Sequence, residues 1–457
     1  LHIAQLVQSQ RAYFAAGNTL DVAWRKGCLR KLEACIRASE EKICAAVARD
    51  LGKHPFETVE TEIALVLEEI RFALRHLDGW ARARRVRTPI AHFPSRSYIV
   101  PEPYGVCLIL APWNYPFQLA FSPLVGAVAA GNCVLLRGSS SAPHVADVMQ
   151  DIARQCFAPE HVTVLGREVE SSAAVWEARY DHIFFTGSVP VGKIVMAQAA
   201  RHLTPVVLEL GGKSPCIVAR DCDVQIAARR ILWGKCINAG QTCVAPDYCL
   251  VEAPVAQALL DAMKKELHHF YGDNPLESGD LARIVNEKQY RRLRALMQGM
   301  RIAAGGRMDD GALRIEPTLL MDCPLDAPIM QEEIFGPLLP VISVKSIAQA
   351  LEIVAGYEKP LALYLFTADK ALQRRIVRSV PFGGGCINDT VVHLATPHLP
   401  FGGVGYSGMG QYHGKRSFDC FSHPKSVLQK ARHTDVMLRY PPYSEQKFRW
   451  LRRIMLR

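Results

Sequence analysis

Three short segments of this 457-residue chain carry side chains that could together run one reaction: Asn114 in APWNYP, Glu209 in LELGGK and Cys243 in GQTC. A cysteine thiol is a nucleophile, a carboxylate can act as base, and a side-chain amide is a neutral donor for an oxyanion. These are the parts needed to attack an aldehyde carbonyl, hold the tetrahedral adduct and later hydrolyse a thioester. Each also has a simpler reading. A lone cysteine is usually a small buried hydrophobe, and all but one of the fourteen here need no other explanation. Cys243 differs because it closes a polar turn, residues 238–243, where partial exposure and polar neighbours would favour thiolate. Glu209 ends an apolar strand before two glycines, where partial desolvation would raise its pKa and suit a base that activates water. An ion pair with Lys213 is the alternative. Asn114 lies in a turn between Pro112 and Pro116, and turn asparagines mostly serve the backbone.

The elements that must position these residues follow from periodicity. The first 80 residues read as helices, including 23–38 and 57–77, the latter with Val59, Ile63, Val66 and Ile70 at helical spacing. A basic, proline-punctuated excursion at 82–103 follows, extended at 97–100. From 105 to 212 short apolar strands (106–110, 133–136, 162–165, 182–185 and 206–210) alternate with helical segments such as 143–157 and 191–201. That alternation implies an α/β fold with a parallel sheet covered on both faces. A second α/β region runs from 214 to about 390, with helices near 224–237 and 286–297. The uncharged run from Tyr104 to Leu136 could pass for a membrane span, but Pro112, Pro116, Pro123 and Gly131-Asn132 divide it into a buried strand–helix–strand unit.

Two motifs mislead. GSVPVGK at 187–193 follows a strand and opens a helix, but Ile194 stands where a P-loop needs a hydroxyl for magnesium. Its backbone amides can still receive a phosphate, and a plain tight turn is the alternative. GVGYSG at 403–408 has the dinucleotide spacing without a preceding strand or a good following helix, and reads as a structured loop.

Composition is that of a globular protein, 49% hydrophobic and 21% charged. The scattered cysteines contain no C-x-x-C pair, which argues against a zinc site or a disulfide framework and for a reducing, cytoplasmic setting. Residues 1–20 show no basic-then-apolar targeting pattern. Most of the +10 net charge is local: residues 425–457 hold nine Lys and Arg against Asp435 and Glu445. This arm is either simply solvated or, through Lys447, Arg449, Arg452, Arg453 and Arg457 interleaved with Phe448, Trp450, Leu451 and Ile454, a basic amphipathic helix making weak peripheral membrane contact. No nucleic-acid reading motif accompanies the charge.

Taken together, these segments resemble the aldehyde dehydrogenase superfamily over essentially the whole chain. Further matches are FTGS at 185–188, EEIFGP at 332–337 and PFGG at 400–403; CVAPDY at 243–248 and the run at 405–423 are similar to the class 3 branch of fatty and aromatic aldehyde dehydrogenases. The resemblance implies a Rossmann-like cofactor domain (1–81 and 104–208), an α/β catalytic domain (209–395) and a small bridging element (82–103 and 396–424) that builds a homodimer, followed by the basic arm (425–457). It implies that Cys243 attacks the aldehyde, that Asn114 and the Cys243 N–H hold the oxyanion, and that Glu209 activates water. Glu333 would hold the nicotinamide ribose, with Phe335 against the cofactor, and is a second candidate base. Thr186, Gly187, Ser188 and Gly192 belong to the pyrophosphate turn and its helix. The family usually has KPSE after the second strand, whereas this chain has Arg137-Gly138-Ser139-Ser140. Loss of that glutamate removes a charge that repels a 2′-phosphate, and Arg137 could pair with one. NADP is therefore expected to be accepted beside NAD, with a preference for it open; the alternative is Arg137 on the ribose hydroxyls and NAD dominant. The expected substrate is a medium- or long-chain aliphatic aldehyde, or an aromatic one. A cysteine hydrolase without a redox cofactor and a scaffold without catalysis are the competing functions.

Overall fold

The computed structural model describes residues 2–166 and 173–456; Arg457, counted above in the basic arm, lies outside the described residues. Two twisted sheets organise the chain. The first has six strands in the order Gly408–Met409, Val206–Glu209, His182–Thr186, Val106–Leu110, Cys133–Arg137 and Val162–Leu165. All are parallel except the short Gly408–Met409 strand. The charge-free run is the strand–helix–strand unit expected of it: Val106–Leu110 and Cys133–Arg137 pair in parallel around the buried helix Gln118–Ala130. Burial of both sheet faces explains why these strands are continuous apolar runs and not alternating ones.

The second sheet has seven strands: Arg301–Ala304, Thr318–Met321, Leu338–Val344, Tyr248–Glu252, Pro215–Val218, Ala362–Phe366 and Gly384–Ile387. A third, three-stranded sheet joins Arg84–Val86, Ser95–Pro103 and Ser422–Lys430, the last two pairing along nine residues. The first residues of the basic stretch, from Lys425, are therefore part of a strand. The rest ends in the helix Glu445–Met455, which has no buried residue and leaves Phe448, Trp450, Leu451 and Ile454 exposed. Among the described residues no helix is long and apolar enough to cross a membrane.

The helix expected over 57–77 is not continuous. A four-residue helical turn, Pro55–Thr58, passes through a wide π-turn, Val59–Ile63, before the regular helix Ala64–Trp80 begins. The apolar spacing survives the wide turn because Ile63, Val66 and Ile70 are all buried. The loop at 403–408 runs into the two-residue strand Gly408–Met409, with Gly408 pairing with Glu209, which lays this glycine-rich segment against the first sheet.

Candidate active site

In the first sheet the chain order reverses between Val106–Leu110 and His182–Thr186, and ligands of open α/β sheets lie beyond the carboxyl ends of strands at such a switch point. Asn114 follows the first of these strands, Gly187 the second, and Glu209 closes the neighbouring one. The second sheet meets this edge with its amino ends: Cys243 precedes Tyr248–Glu252, and Glu333 precedes Leu338–Val344. One carboxyl edge facing one amino edge brings all four side chains to a common site.

Two cavities meet there. The larger, about 750 Å³, is lined by Asn114, Arg137, Ser139, Ser140, Thr186, Gly187, Ser188, Glu209, Cys243, Glu333 and Phe335. The smaller, about 160 Å³, is mostly apolar, with Tyr115, Trp233, Ile237, Val391, Leu394 and Phe401 in its wall. Cys243, Glu209, Thr186 and Leu119 line both.

Cys243 is carried by a backbone in an uncommon conformation. Asn238, Ala239 and Gly240 have φ of 50°, 51° and 72°, three successive left-handed residues. Such strain persists only where the surroundings over-determine it. Here the Gln241 side chain donates to the carbonyls of Asn238 and Arg283, both at 3.0 Å, and accepts the Val285 N–H at 3.0 Å. Asn114 donates from Nδ2 to the Gln241 carbonyl at 3.0 Å, so one amide hydrogen orients the group and the second is left for an oxyanion. Tyr115 and Thr242 share a hydroxyl–hydroxyl bond of 2.6 Å that ties the two turns together.

The electrostatics depart from expectation at the thiol. Its own N–H and that of Val244 favour thiolate, but burial pushes the Cys243 thiol up to about 12, and Glu333 and Glu209 add to the rise. The nearby charges are carboxylates, so the polar neighbours do not favour thiolate in this state. Glu209 is buried, and burial holds its carboxyl well above the usual range. Neither of its oxygens has a hydrogen-bond partner among the described residues. The alternative pairing with Lys213 does not occur: Lys213 Nζ bonds Asp247 at 2.5 Å and the carbonyls of Ile329 and Glu332. Glu333 is raised to about 8, chiefly by burial and then by Asp247, against the opposing Gly212 N–H. Its carboxyl lies over Gly211, where a Cβ would come within 2.2 Å of Oε2. Arg292, which sequence reasoning missed, grips this loop through Glu332 and the carbonyls of Glu333 and Ile334. Only its cavity-lining position and these long-range bonds mark it, and neither has a local signature.

The larger cavity suits a dinucleotide. Its size falls in the range of ligand sites. Among the described residues, Thr186 Oγ1 and Glu333 Oε1 are buried without partners on its wall. Ser188 is the N-cap of the helix Val189–Ala200 yet makes no side-chain cap bond, so its hydroxyl is not spent on the helix. A side chain at Gly187 would meet the Phe185 ring at 2.5 Å, which keeps backbone at the cavity surface. Phe335, at φ 51°, sets its ring edge-on to Trp113 at 5.4 Å. Arg137 and Ser140 line the same cavity, with Arg137 at the end of its strand. Gly192 is not part of this wall; it lets the helix approach Leu210, which a Cβ there would meet at 2.8 Å.

The model of the aldehyde dehydrogenase family matches residues 2–427. The chain belongs to that family. It is 45% identical over 452 residues to the 4,4′-diaponeurosporen-aldehyde dehydrogenase of Staphylococcus aureus, covering 98% of each chain. It is 42% identical to the dimeric NADP-preferring aldehyde dehydrogenase of Rattus norvegicus, covering 96% of this chain and 98% of the relative. A substrate-bound structure of a Staphylococcus aureus AldH superposes with a TM-score of 0.96 at 44% identity, over 99% of both chains. As a family member the protein oxidises aldehydes to carboxylic acids with NAD or NADP as cofactor.

Proposed function

We propose that Cys243 is the nucleophile of this oxidation and that the two cavities divide its substrates, cofactor in the larger and aldehyde in the smaller. The observation that carries this reading is the shared floor: thiol and Glu209 carboxyl line both cavities. Cys243 releases its proton to solvent, and attack of the thiolate on the carbonyl carbon places the new oxyanion with the Asn114 amide and the Cys243 N–H. A nicotinamide held in the larger cavity would supply the hydride acceptor that turns the thiohemiacetal on Cys243 into a thioester. Glu209 then takes a proton from water, which adds to the thioester and releases the acid and the thiol. Burial holds the Glu209 carboxyl above the usual carboxylate range, so its basic form gains population as pH rises. Thr186, Gly187 and Ser188 would hold the pyrophosphate, and Glu333 the nicotinamide ribose beside Phe335, with Glu333 the alternative base. The apolar wall of the smaller cavity favours an aliphatic or aromatic aldehyde.

Arg137 and Ser140 on the cavity wall support acceptance of NADP, and the NADP-preferring relative adds weight. The chain divides, in this reading, into a cofactor domain (1–81, 104–208), a catalytic domain (209–395) and a bridging element (82–103, 396–424). The outer edge of Ser422–Lys430 is suited to pairing with a second copy, giving a homodimer. Fourteen free thiols support a cytoplasmic setting, and the exposed basic helix at Glu445–Met455 supports weak contact with an anionic membrane surface. The deciding experiment is the initial rate of reduced-nicotinamide formation with hexanal and with benzaldehyde, NAD and NADP in parallel. Turnover with either aldehyde supports the site; ester cleavage without cofactor and no aldehyde oxidation would replace it with a thiol hydrolase.

A further inference from the structure

The mechanism leaves unused a cluster of charge that lies behind the oxyanion hole. Lys53 and Glu62 form an ion pair of 2.7 Å with both side chains fully buried. Buried pairs are costly to desolvate and are not needed for stability alone. The other hydrogen bonds of this pair go to residues 114–118, the turn that carries Asn114 and the first residue of the helix after it. Glu62 Oε2 accepts the Phe117 N–H at 2.9 Å, Lys53 Nζ reaches the Asn114 carbonyl at 3.5 Å, and Lys53 lies 4.2 Å from the centre of the Tyr115 ring. Glu57, one turn away, accepts the Asn238 N–H at 2.7 Å, at the start of the left-handed turn that carries Cys243. Asn238 in turn donates from Nδ2 to the Asn114 carbonyl at 2.7 Å, linking the two turns.

We propose that the segment from Lys53 to Glu62 is a clamp that positions the oxyanion hole, with Glu57 the residue that holds the nucleophile's turn in register with Asn114. The wide turn at Val59–Ile63 is what makes the clamp possible. At 100° per residue, positions five apart on an α-helix point about 140° away from each other. A π-turn closes its hydrogen bonds between residues five apart and restores them to one side, so Glu57 and Glu62 both face the site. π-turns recur at functional positions. Glu57, Lys53 and Glu62 touch neither cavity wall, so their action is through Asn114, Asn238 and Cys243. The proposal rests on the assignment of Asn114 and Cys243 given above.

The test compares Glu57→Asp, Glu57→Leu and Glu57→Gln in the full-length enzyme. The readouts are the first-turnover rate of reduced-cofactor formation with hexanal and the cofactor dissociation constant. Asp keeps the charge but loses the reach to Asn238, and Leu loses both charge and acceptor; each should slow the first turnover by about 10–100-fold, the scale of small misplacements of reacting groups. Gln keeps length and acceptor and should stay within about threefold of the native rate, since a neutral amide oxygen still accepts an N–H. Cofactor affinity should be unchanged in all three. If Leu does not fold, the Asp and Gln pair carries the comparison. A native rate in the Asp variant, or a Gln variant as slow as Asp, would overturn the clamp. Asn114→Ala serves as reference: a native rate there removes the underlying site assignment, whereas a slow Asn114→Ala beside a native Glu57→Asp removes the clamp alone.

Discussion

The two cavities that meet at Cys243 are built in opposite ways. The larger, which we assign to the cofactor, is made of backbone features, strand ends, a helix N-terminus and the close turn at Gly187, with a few polar groups unpartnered among the described residues, such as Thr186 Oγ1. The smaller, which we assign to the aldehyde, is made of side chains from distant stretches of the chain, from Tyr115 and Trp233 to Val391 and Phe401. Backbone features have short local signatures, so the first side can be read from motifs. A wall assembled by packing has none, and it can change shape without disturbing the chemistry at the shared floor.

That contrast can be broken at the floor first. Cys243→Ala should lower aldehyde turnover below detection while the cofactor dissociation constant, measured by quenching of protein fluorescence, stays native; residual turnover would remove Cys243 from the mechanism. Glu209→Gln should slow steady-state turnover by about 10²–10⁴-fold, the usual share of a general base, while leaving a first-turnover burst of reduced nicotinamide. Near-native turnover without a burst would transfer the base to Glu333.

The contrast is sharpened by substitutions confined to one side. Ser140→Glu should lower the NADP/NAD ratio of kcat/KM by about tenfold, or ~1.4 kcal/mol, with the aldehyde preference intact. Trp233→Ala should do the reverse, shifting the ratio for bulky aldehydes against hexanal by about tenfold with the cofactor ratio intact. A substitution that moved both ratios would show the sides to be coupled.

The smallest expected effect concerns stability. Burial raises Glu333 to about 8 and Glu69 to about 7, and holds Glu209 well above the usual range. The folded state therefore keeps protons that the unfolded chain releases above its ordinary carboxylate pKa. Stability from such groups is present at low pH and lost as pH rises toward the folded values. Between pH 6.5 and 7.5, each carboxyl still protonated in the fold costs about 1.4 kcal/mol per pH unit. Lys235, lowered to about 8 by burial, opposes this only from near that pH upward. Four histidines lowered by burial, His161, His182, His393 and His413, oppose the fall most strongly near pH 6.5, where the unfolded chain still binds their protons. Glu333→Gln should therefore make the slope of Tm against pH more positive than that of the native enzyme across the interval; an unchanged slope would mean that Glu333 is ionised in the fold.

The alternation of apolar strands and helices, the break of the uncharged run into strand–helix–strand, the placing of Asn114 and Cys243 in recognisable turns and of Glu209 at a strand end were all determined by local sequence, because periodicity and turn chemistry act over a few residues. Tertiary structure alone decided three other matters. It gave Lys213 to Asp247 and left Glu209 unpaired, because which charges meet depends on how the loops before the second sheet fold together. It set the thiol among carboxylates, reversing the expected electrostatics, because Glu209 and Glu333 come from opposite sheets. And it turned Glu57 and Glu62, which fall within the stretch 57–77 that reads as one regular helix, toward the site beside Lys53, because a π-turn is a response to packing and leaves no mark in the apolar spacing.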